Sequence, residues 1–361
     1  MINFKNILID HFNKYPKMEI QDIVKLIYQS EFAGGHLIAN KDESLKFLEE
    51  ELISISNNPV YKSQPVFENI GGDIYRLNLV PAVRAGLSLS TINNLFVQTA
   101  NSNKGTVSNF EKKLGLLIDL CKEGVLPFNR LEVDNYINSY KSQGYRAVSH
   151  TGTYRSNYYP AYRIISKEYI KYMDVFASID RLVSLRRQVL VAIDGMCASG
   201  KTSLASTLGD IYDCNIFHMD DYFLQPHLKT RERLEEAGGN IDYVRFDNEI
   251  ISGLKSRDSF SYQEYDCQTM SLSDKILVSP KLLNIIEGSY SMHPSLVGNY
   301  DLKIFLKHSP KQQRERILKR NGKAMYNKFI DLWIPLENLY FDTFRIEEES
   351  DIVIDTTQKK V

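Results

Sequence analysis

The chain is poor in features that would take it out of the ordinary globular class. Its 361 residues include only four cysteines and one tryptophan. Cys121, Cys197, Cys214 and Cys267 are scattered, with no C-x-x-C pair and no histidine cluster beside them. That spacing argues against a disulfide framework or a zinc site and fits a reducing compartment. No apolar run approaches the roughly 18 residues that a membrane helix needs. The opening stretch MINFKNILIDHFNKYPKM is broken by charges and lacks the apolar centre of a secretory leader. Charge of one sign is missing as well: 44 basic residues face 45 acidic ones, for a net charge of -1. A nucleic-acid partner, which leaves a larger basic footprint, is therefore not expected. With 43% hydrophobic and 25% charged residues, disorder is also a poor fit. The expectation is a cytoplasmic globular protein without a membrane partner, and a homo-oligomer is compatible with it.

What is present falls into two halves. The length suits about two domains at roughly 150 residues each. The second half alternates apolar runs at 188–193, 215–219, 282–286, 302–306 and 351–354 with helical stretches at 201–212, 244–256, 309–320 and 325–346. Short apolar strands spaced by helices predict βαβ units and an α/β fold, with a parallel sheet covered by helices on both faces. The first half shows helical spacing at 20–31, 43–55, 109–121 and 132–140, separated by Gly, Asn and Ser clusters. The reading is a mainly helical domain over 1–165, a connecting helix over 166–186 and an α/β domain over 187–361.

The sharpest signal runs from Gly195 to Thr202, in the pattern G-x-x-x-x-G-K-T, entered by an apolar strand and left by a helix. Glycines let the backbone turn tightly and aim N–H groups at phosphate oxygens, and the helix N-terminus adds a favourable dipole. Gly195, Ala198, Ser199, Gly200, Lys201, Thr202 and Ser203 are the expected nucleotide-binding set. Lys201 bridges the β- and γ-phosphates, and the Thr202 hydroxyl holds Mg²⁺. No N-K-x-D follows a later strand, as a GTPase would require. A kinase using ATP and Mg²⁺ on a small-molecule acceptor is the expectation. A nucleotide-gated binding protein is the alternative from another class.

The next strand delivers Asp220 and Asp221, and Tyr222 beside them is an expected substrate contact. A carboxylate at the carboxyl end of a parallel strand is placed to accept the proton of an attacking hydroxyl or to organise the metal. In the stretch that begins at Lys229, Arg231 and Arg233 offer a bidentate clamp for a phosphate or carboxylate on the acceptor; the bland reading pairs them with Glu232, Glu235 and Glu236 on a solvated helix. Ser309 and Pro310 read as the N-cap and first position of a basic lid helix. Arg316 and Arg320 share one face of it, with Arg316 expected on phosphate and Arg314 close behind.

The loop, MDDYF, Tyr265-Asp266 and IIEG, in that order over roughly 186–358, resemble the uridine kinase family, with its phosphoribulokinase and pantothenate kinase relatives. The resemblance implies a P-loop kinase fold and phosphorylation of a nucleoside 5′-hydroxyl. It makes Asp220 the general base, Glu287 a residue that places Mg²⁺, and Tyr265 and Asp266 the lining of the nucleoside pocket. A pantothenate-like or already phosphorylated acceptor is the runner-up. The family's base-contacting histidine, four positions after the Y-D pair, is here Met270.

In the first half, nine of the 22 tyrosines fall between 136 and 172. Interleaved with Arg146, Arg155 and Arg163, they can stack on bases and hold phosphates. His36 and His150 are candidate general bases. The competing reading has these tyrosines as packing and these histidines as satisfied hydrogen bonders.

Overall fold

Two glycines open the first sheet of the chain. The strands β1 (Phe67–Gly71) and β2 (Ile74–Asn78) are joined through Gly71, Gly72 and Asp73, all at positive φ, and β3 (Tyr162–Ser166) pairs antiparallel on the far side of β2. A Cβ on Gly72 would lie 2.2 Å from the Ser30 carbonyl oxygen, so only glycine fits. The computed structural model describes residues 2–34, 38–55, 61 and 63–357 and divides into two compact units, Met1–Ala177 and Ser178–Val361.

Around this sheet the first unit places the helices Ile2–Lys14, Ile20–Phe32, Lys41–Ile55, Leu89–Ser102, Val107–Lys122 and Arg130–Ser142. Phe4, Leu8, Ile23, Ile27, Phe110 and Leu117 form the middle of its core. Full burial of each such side chain stabilises by roughly 1.5–3 kcal/mol. Capping oxygens stop the helices from fraying: Ser88 accepts from the Thr91 amide, and Thr106 from the Asn109 amide. The expected connecting helix over 166–186 is not one element. Residue 166 ends β3, a 3-10 turn follows over Lys167–Tyr172, and the α-helix is Met173–Leu185. The boundary between the units lies inside that helix.

In the second unit β4 (Val189–Gly195) and β5 (Cys214–His218) are followed by two short antiparallel pairs. These are β6 (Phe260–Tyr262) with β9 (Ile276–Val278) and, between them in the chain, β7 (Tyr265–Asp266) with β8 (Ser271–Leu272). Then come β10 (Leu283–Glu287), β11 (Leu302–Lys307) and β12 (Ile352–Asp355). The main sheet has the order β12-β11-β4-β10-β5, and every pairing in it is parallel. All residues of β4 and β10 are buried, as their unbroken apolar runs require for strands covered on both faces. The chain runs from β4 outward to β5, returns to insert β10 between them, and then places β11 on the other flank of β4. Ligand sites in open α/β sheets form at the carboxyl ends beside such a reversal. The lid helix Pro310–Lys328, capped by Ser309, bends at Gly322 (φ 72°) before the helix Ile334–Phe344.

Candidate active site

The loop after β4 is held from below by groups that the sequence pattern does not contain. Gly195 has φ 139°, and a Cβ there would meet the Leu306 carbonyl oxygen of β11 at 2.1 Å. Asp194, fully buried, accepts from the Gly195 amide (2.7 Å), the Met292 amide (3.0 Å) and the Tyr340 hydroxyl (2.9 Å). Burial pushes its carboxyl up to about 6 despite these donors. Glu337, on the helix Ile334–Phe344, accepts from the Cys197 amide at 2.9 Å and from the Ser289 hydroxyl at 2.5 Å. His308 meets the Cys197 carbonyl at 3.0 Å.

Above this support the loop opens into the site. Ala198 and Gly200 both adopt positive φ, and Gly200 precedes the helix Lys201–Ile211, whose first amides have no intrahelical acceptor. Lys201 Nζ donates to the carbonyls of Gly195 (2.6 Å) and Met196 (3.2 Å) and to the Ser289 hydroxyl (3.1 Å). Ser203 is exposed on the first turn, and Ser199 is buried with its carbonyl taken by Thr356 Oγ1 at 3.0 Å.

Two carboxylates face the loop. Parallel pairing sets Glu287, at the end of β10, level with Ile193 on β4 and His218 on β5. Its Oε1 accepts from Thr202 Oγ1 at 3.1 Å and lies 2.6 Å from His218 Nδ1, and that bond raises the imidazole pKa. Asp220 sits in the 3-10 turn Met219–Tyr222 that follows β5. Burial raises its pKa; Lys201 opposes this and Glu287 adds to it. Asp221 is pushed up to about 6, chiefly by burial and then by Glu264.

A cleft of about 720 Å³ runs from Lys201, Thr202 and Glu287 past Arg320 to Met325, Phe329 and Trp333. A second recess of about 560 Å³ is lined by Glu264, Tyr265, Asp266 and the turn that follows. Asp220 and Phe223 line both, so they form a common wall. Tyr265 is buried in that lining, while Asp266 is exposed and caps its own turn, accepting from the Gln268 amide (2.7 Å) and the Thr269 hydroxyl (3.0 Å).

Three expected contacts are not brought together. Tyr222 is wholly buried away from both recesses: its hydroxyl donates to Glu249 at 3.0 Å, and Arg245 covers its ring at 3.9 Å. In the 3-10 turn after β5, Asp220 lines the cleft while Tyr222 is buried in the core. Arg231 is exposed and pairs with Glu235 at 2.8 Å one turn along its own helix, and Arg233 pairs with Glu236; no clamp forms. Arg316 lines the cleft but spends its donors on the back of the loop, at the Ala198 carbonyl (3.2 Å) and on Thr356 (2.8 and 3.0 Å). Arg320 lines the cleft and lies near enough to Asp220 to lower its pKa. Arg314 is exposed and Met270 is 65% exposed at a turn.

Sequence reasoning missed Asp194, His218, Ser289 and Glu337. Asp194 and His218 had a local signal, as polar residues at the ends of apolar strands. Glu337 had none, since 140 positions separate it from the Cys197 amide it holds.

The oxygens of Thr202 and Glu287 form a hard donor pair that suits Mg²⁺, which takes one or two protein oxygens and fills its shell with water and phosphate. No group of three or more His, Cys, Asp or Glu side chains gathers for a metal among the described residues.

In the first unit, His36 lies outside the described residues. His150 stacks on Tyr154 with ring centroids 4.1 Å apart, and its Nδ1 lies 2.9 Å from Asp22. Burial holds its pKa down at about 4, so it binds Asp22 as a neutral imidazole rather than as an ion pair. Most of the clustered tyrosines pack: Tyr140 and Tyr154 are core residues, and Tyr136, Tyr145, Tyr158 and Tyr162 lie against them.

Comparison with known proteins adds little beyond this geometry. No protein-family model matches the chain, and no curated protein matches it. Among solved structures, a possible uridine kinase from Bacillus stearothermophilus aligns at 23% identity and a TM-score of 0.38, over 50% of this chain and 100% of that one. A provisionally named fructose transport system kinase from Silicibacter sp. TM1040 aligns at 20% identity and a TM-score of 0.40, over 48% of this chain and 94% of that one. The parallel sheet, its reversal at β4 and the glycine loop make the second unit an α/β fold of the P-loop type. No helix among the described residues is long and apolar enough to cross a membrane.

Proposed function

We propose that the second unit is an ATP-dependent phosphotransferase acting on the hydroxyl of a small uncharged acceptor, a nucleoside 5′-hydroxyl being the preferred case. The observation that carries this reading is Asp220, a carboxylate on the common wall of a phosphate-loop cleft and a second recess. A base that faces both nucleotide and acceptor is what in-line transfer requires and what a nucleotide switch does not.

In this reading the amides of Ala198, Gly200 and Lys201 and the Lys201 ammonium hold the β- and γ-phosphates, while Thr202 and Glu287 hold Mg²⁺. The metal, when bound, neutralises charge on the transferred phosphoryl. Asp220 accepts the proton as the acceptor oxygen bonds to the γ-phosphorus and ADP leaves; its raised pKa favours taking that proton. Arg320 approaches from the lid. Asp221, Glu264 and Asp266 surround the recess. Their charge repels a carboxylate or phosphate, and the clamp that would have balanced it does not form, which supports a neutral acceptor over a phosphorylated or pantothenate-like one. Tyr265 lines the recess, and an aromatic wall there suits a nucleoside.

The test is ADP release from ATP·Mg²⁺ across a nucleoside panel with pantothenate and sugar phosphates included, using Lys201→Ala as control. Stimulation by a neutral hydroxyl compound, absent in the variant, supports the reading. Stimulation only by anionic acceptors overturns the acceptor class, and ATP binding without turnover on any acceptor overturns the kinase. Trp333 is the chain's one tryptophan and lines the cleft, so its fluorescence reports nucleotide binding independently of turnover.

A further inference from the structure

A cavity of about 1120 Å³ lies wholly within the first unit, and the P-loop chemistry makes no use of it. On its wall Lys25 and Arg155 have no ion-pair partner among the described residues. Other cations of this unit are matched: Arg76 with Glu68 at 3.2 Å, Lys113 with Glu31 at 2.9 Å, and, on the same wall, Arg163 with Glu51 at 2.7 Å. Lys25 is different. It donates to the Val148 carbonyl at 2.7 Å, and among the described residues no carboxylate stands within ion-pair distance of it. Arg155 lines the same cavity, is exposed, and lies close enough to repel Lys25. Asp22, the nearest acid, is already taken by His150, the Thr151 amide (3.0 Å) and the Thr151 hydroxyl (2.7 Å). Burial, then Arg76 and Arg155, push Lys25 down to about 8, which reflects the same uncompensated charge.

Two like charges held over a cavity gain most from an anion placed between them, and a guanidinium with an ammonium suits phosphate oxygens. Aromatic rings stand on the same wall, Tyr28, Phe96 and the exposed Tyr159 among them, with the acids Glu43 and Glu51 on it as well. A cavity with a cationic end and aromatic sides takes a phosphate attached to a planar ring. We infer that the first unit holds a second ligand site, in which Lys25 and Arg155 grip the phosphate of a small ring-bearing phosphate monoester and Tyr28, Phe96 and Tyr159 cover its ring. This site stands on residues of the first unit alone and does not depend on the proposed kinase reaction.

The test uses equilibrium dialysis of the full chain carrying Lys201→Ala, which cripples phosphate binding in the second unit. The probes are UMP, CMP and AMP, with uridine, cytidine, adenosine and inorganic phosphate as controls. At least one monophosphate is expected to bind, about tenfold or more tighter than its nucleoside and than inorganic phosphate, since a charge-assisted phosphate contact contributes enough for that factor. Arg155→Glu, at an exposed position and expected to leave the melting temperature unchanged, is expected to remove that tenfold, and Lys25→Met to do the same. Equal binding of nucleoside and monophosphate, retention of affinity in Arg155→Glu and Lys25→Met, or no binding of any monophosphate overturns the site. A wild-type chain that shows no kinase turnover yet binds UMP through Arg155 keeps this inference while sinking the other.

Discussion

The two units build their polar centres in opposite ways. In the second, the phosphate loop occupies eight consecutive residues, and its chemistry is mostly backbone: amides at a helix start, glycines at positive φ, one lysine folded over its own carbonyls. In the first, Arg76 is fully buried on β2 and reaches Glu68 on β1, Gln29 at 3.2 Å on a helix and Tyr154 at 3.5 Å, with Tyr162 of β3 under its guanidinium at 4.5 Å. These partners are drawn from positions 29 to 162. A backbone device is spelled locally because consecutive amides converge only when consecutive residues turn. A side-chain network is spelled nowhere in particular, since any acid that the fold brings near can serve. The local device therefore carries function that can be read from the sequence, and the distributed one carries stability that cannot.

This contrast can be broken first at Asp220. Asp220→Asn is expected to lower turnover by about 10²–10⁴-fold while the Trp333 fluorescence response to ATP persists. Loss of the fluorescence response as well would mean that Asp220 acts structurally, like the groups of the first unit. The converse variant, Arg76→Met, leaves Glu68 buried without its strongest partner and is expected to cost about 3–5 kcal/mol, read from urea unfolding. Adding Glu68→Gln should recover part of that loss, and a double variant no better than the single would deny that the pair is coupled.

The same network sets an acid sensitivity. His150 titrates near 4 when folded and near its ordinary 6.5 when unfolded, so the unfolded chain binds the proton first. Its share of stability is complete above pH 6.5 and is lost as the pH falls from 6.5 to 4, by about 3 kcal/mol at most. His150→Gln should flatten the melting temperature against pH in that window; an unchanged slope would place the titrating groups elsewhere. The smallest effect is expected at Arg231, where Arg231→Ala should leave KM for the acceptor within about twofold, because exposed i,i+4 pairs contribute little. A large rise in KM would restore the clamp.

How much was legible follows the same division. The five strands of the main sheet stand within one or two residues of where apolar runs place them, and the helices at 201–212 and 244–256 likewise, because burial on both faces leaves an unbroken signal. The helical stretches 309–320 and 325–346 were legible too, and the gap between them contains the bend at Gly322. The antiparallel β1-β2-β3 sheet was not legible at all: Glu68, Arg76 and Arg163 interrupt the apolar pattern, and β3 is separated from its partner by more than eighty residues. In the site, Lys201, Thr202, Glu287 and Asp220 converge as their motifs imply. The direction of Tyr222, the withdrawal of Arg231 and the diversion of Arg316 to Thr356 could not be read, because an exposed-looking polar side chain takes whichever partner packing offers.

By itself the amino-acid sequence determined the phosphate loop, the parallel sheet that carries it and the strand ends that present Asp220 and Glu287, all of which follow from short-range periodicity and glycine chemistry. Only the tertiary structure decided that Asp220 stands between two recesses, that Glu337 and Asp194 hold the loop from behind, and that Lys25 and Arg155 line one cavity together. Those outcomes depend on contacts between residues tens to more than a hundred positions apart, and the free energy that selects them comes from burial and charge pairing in the finished fold.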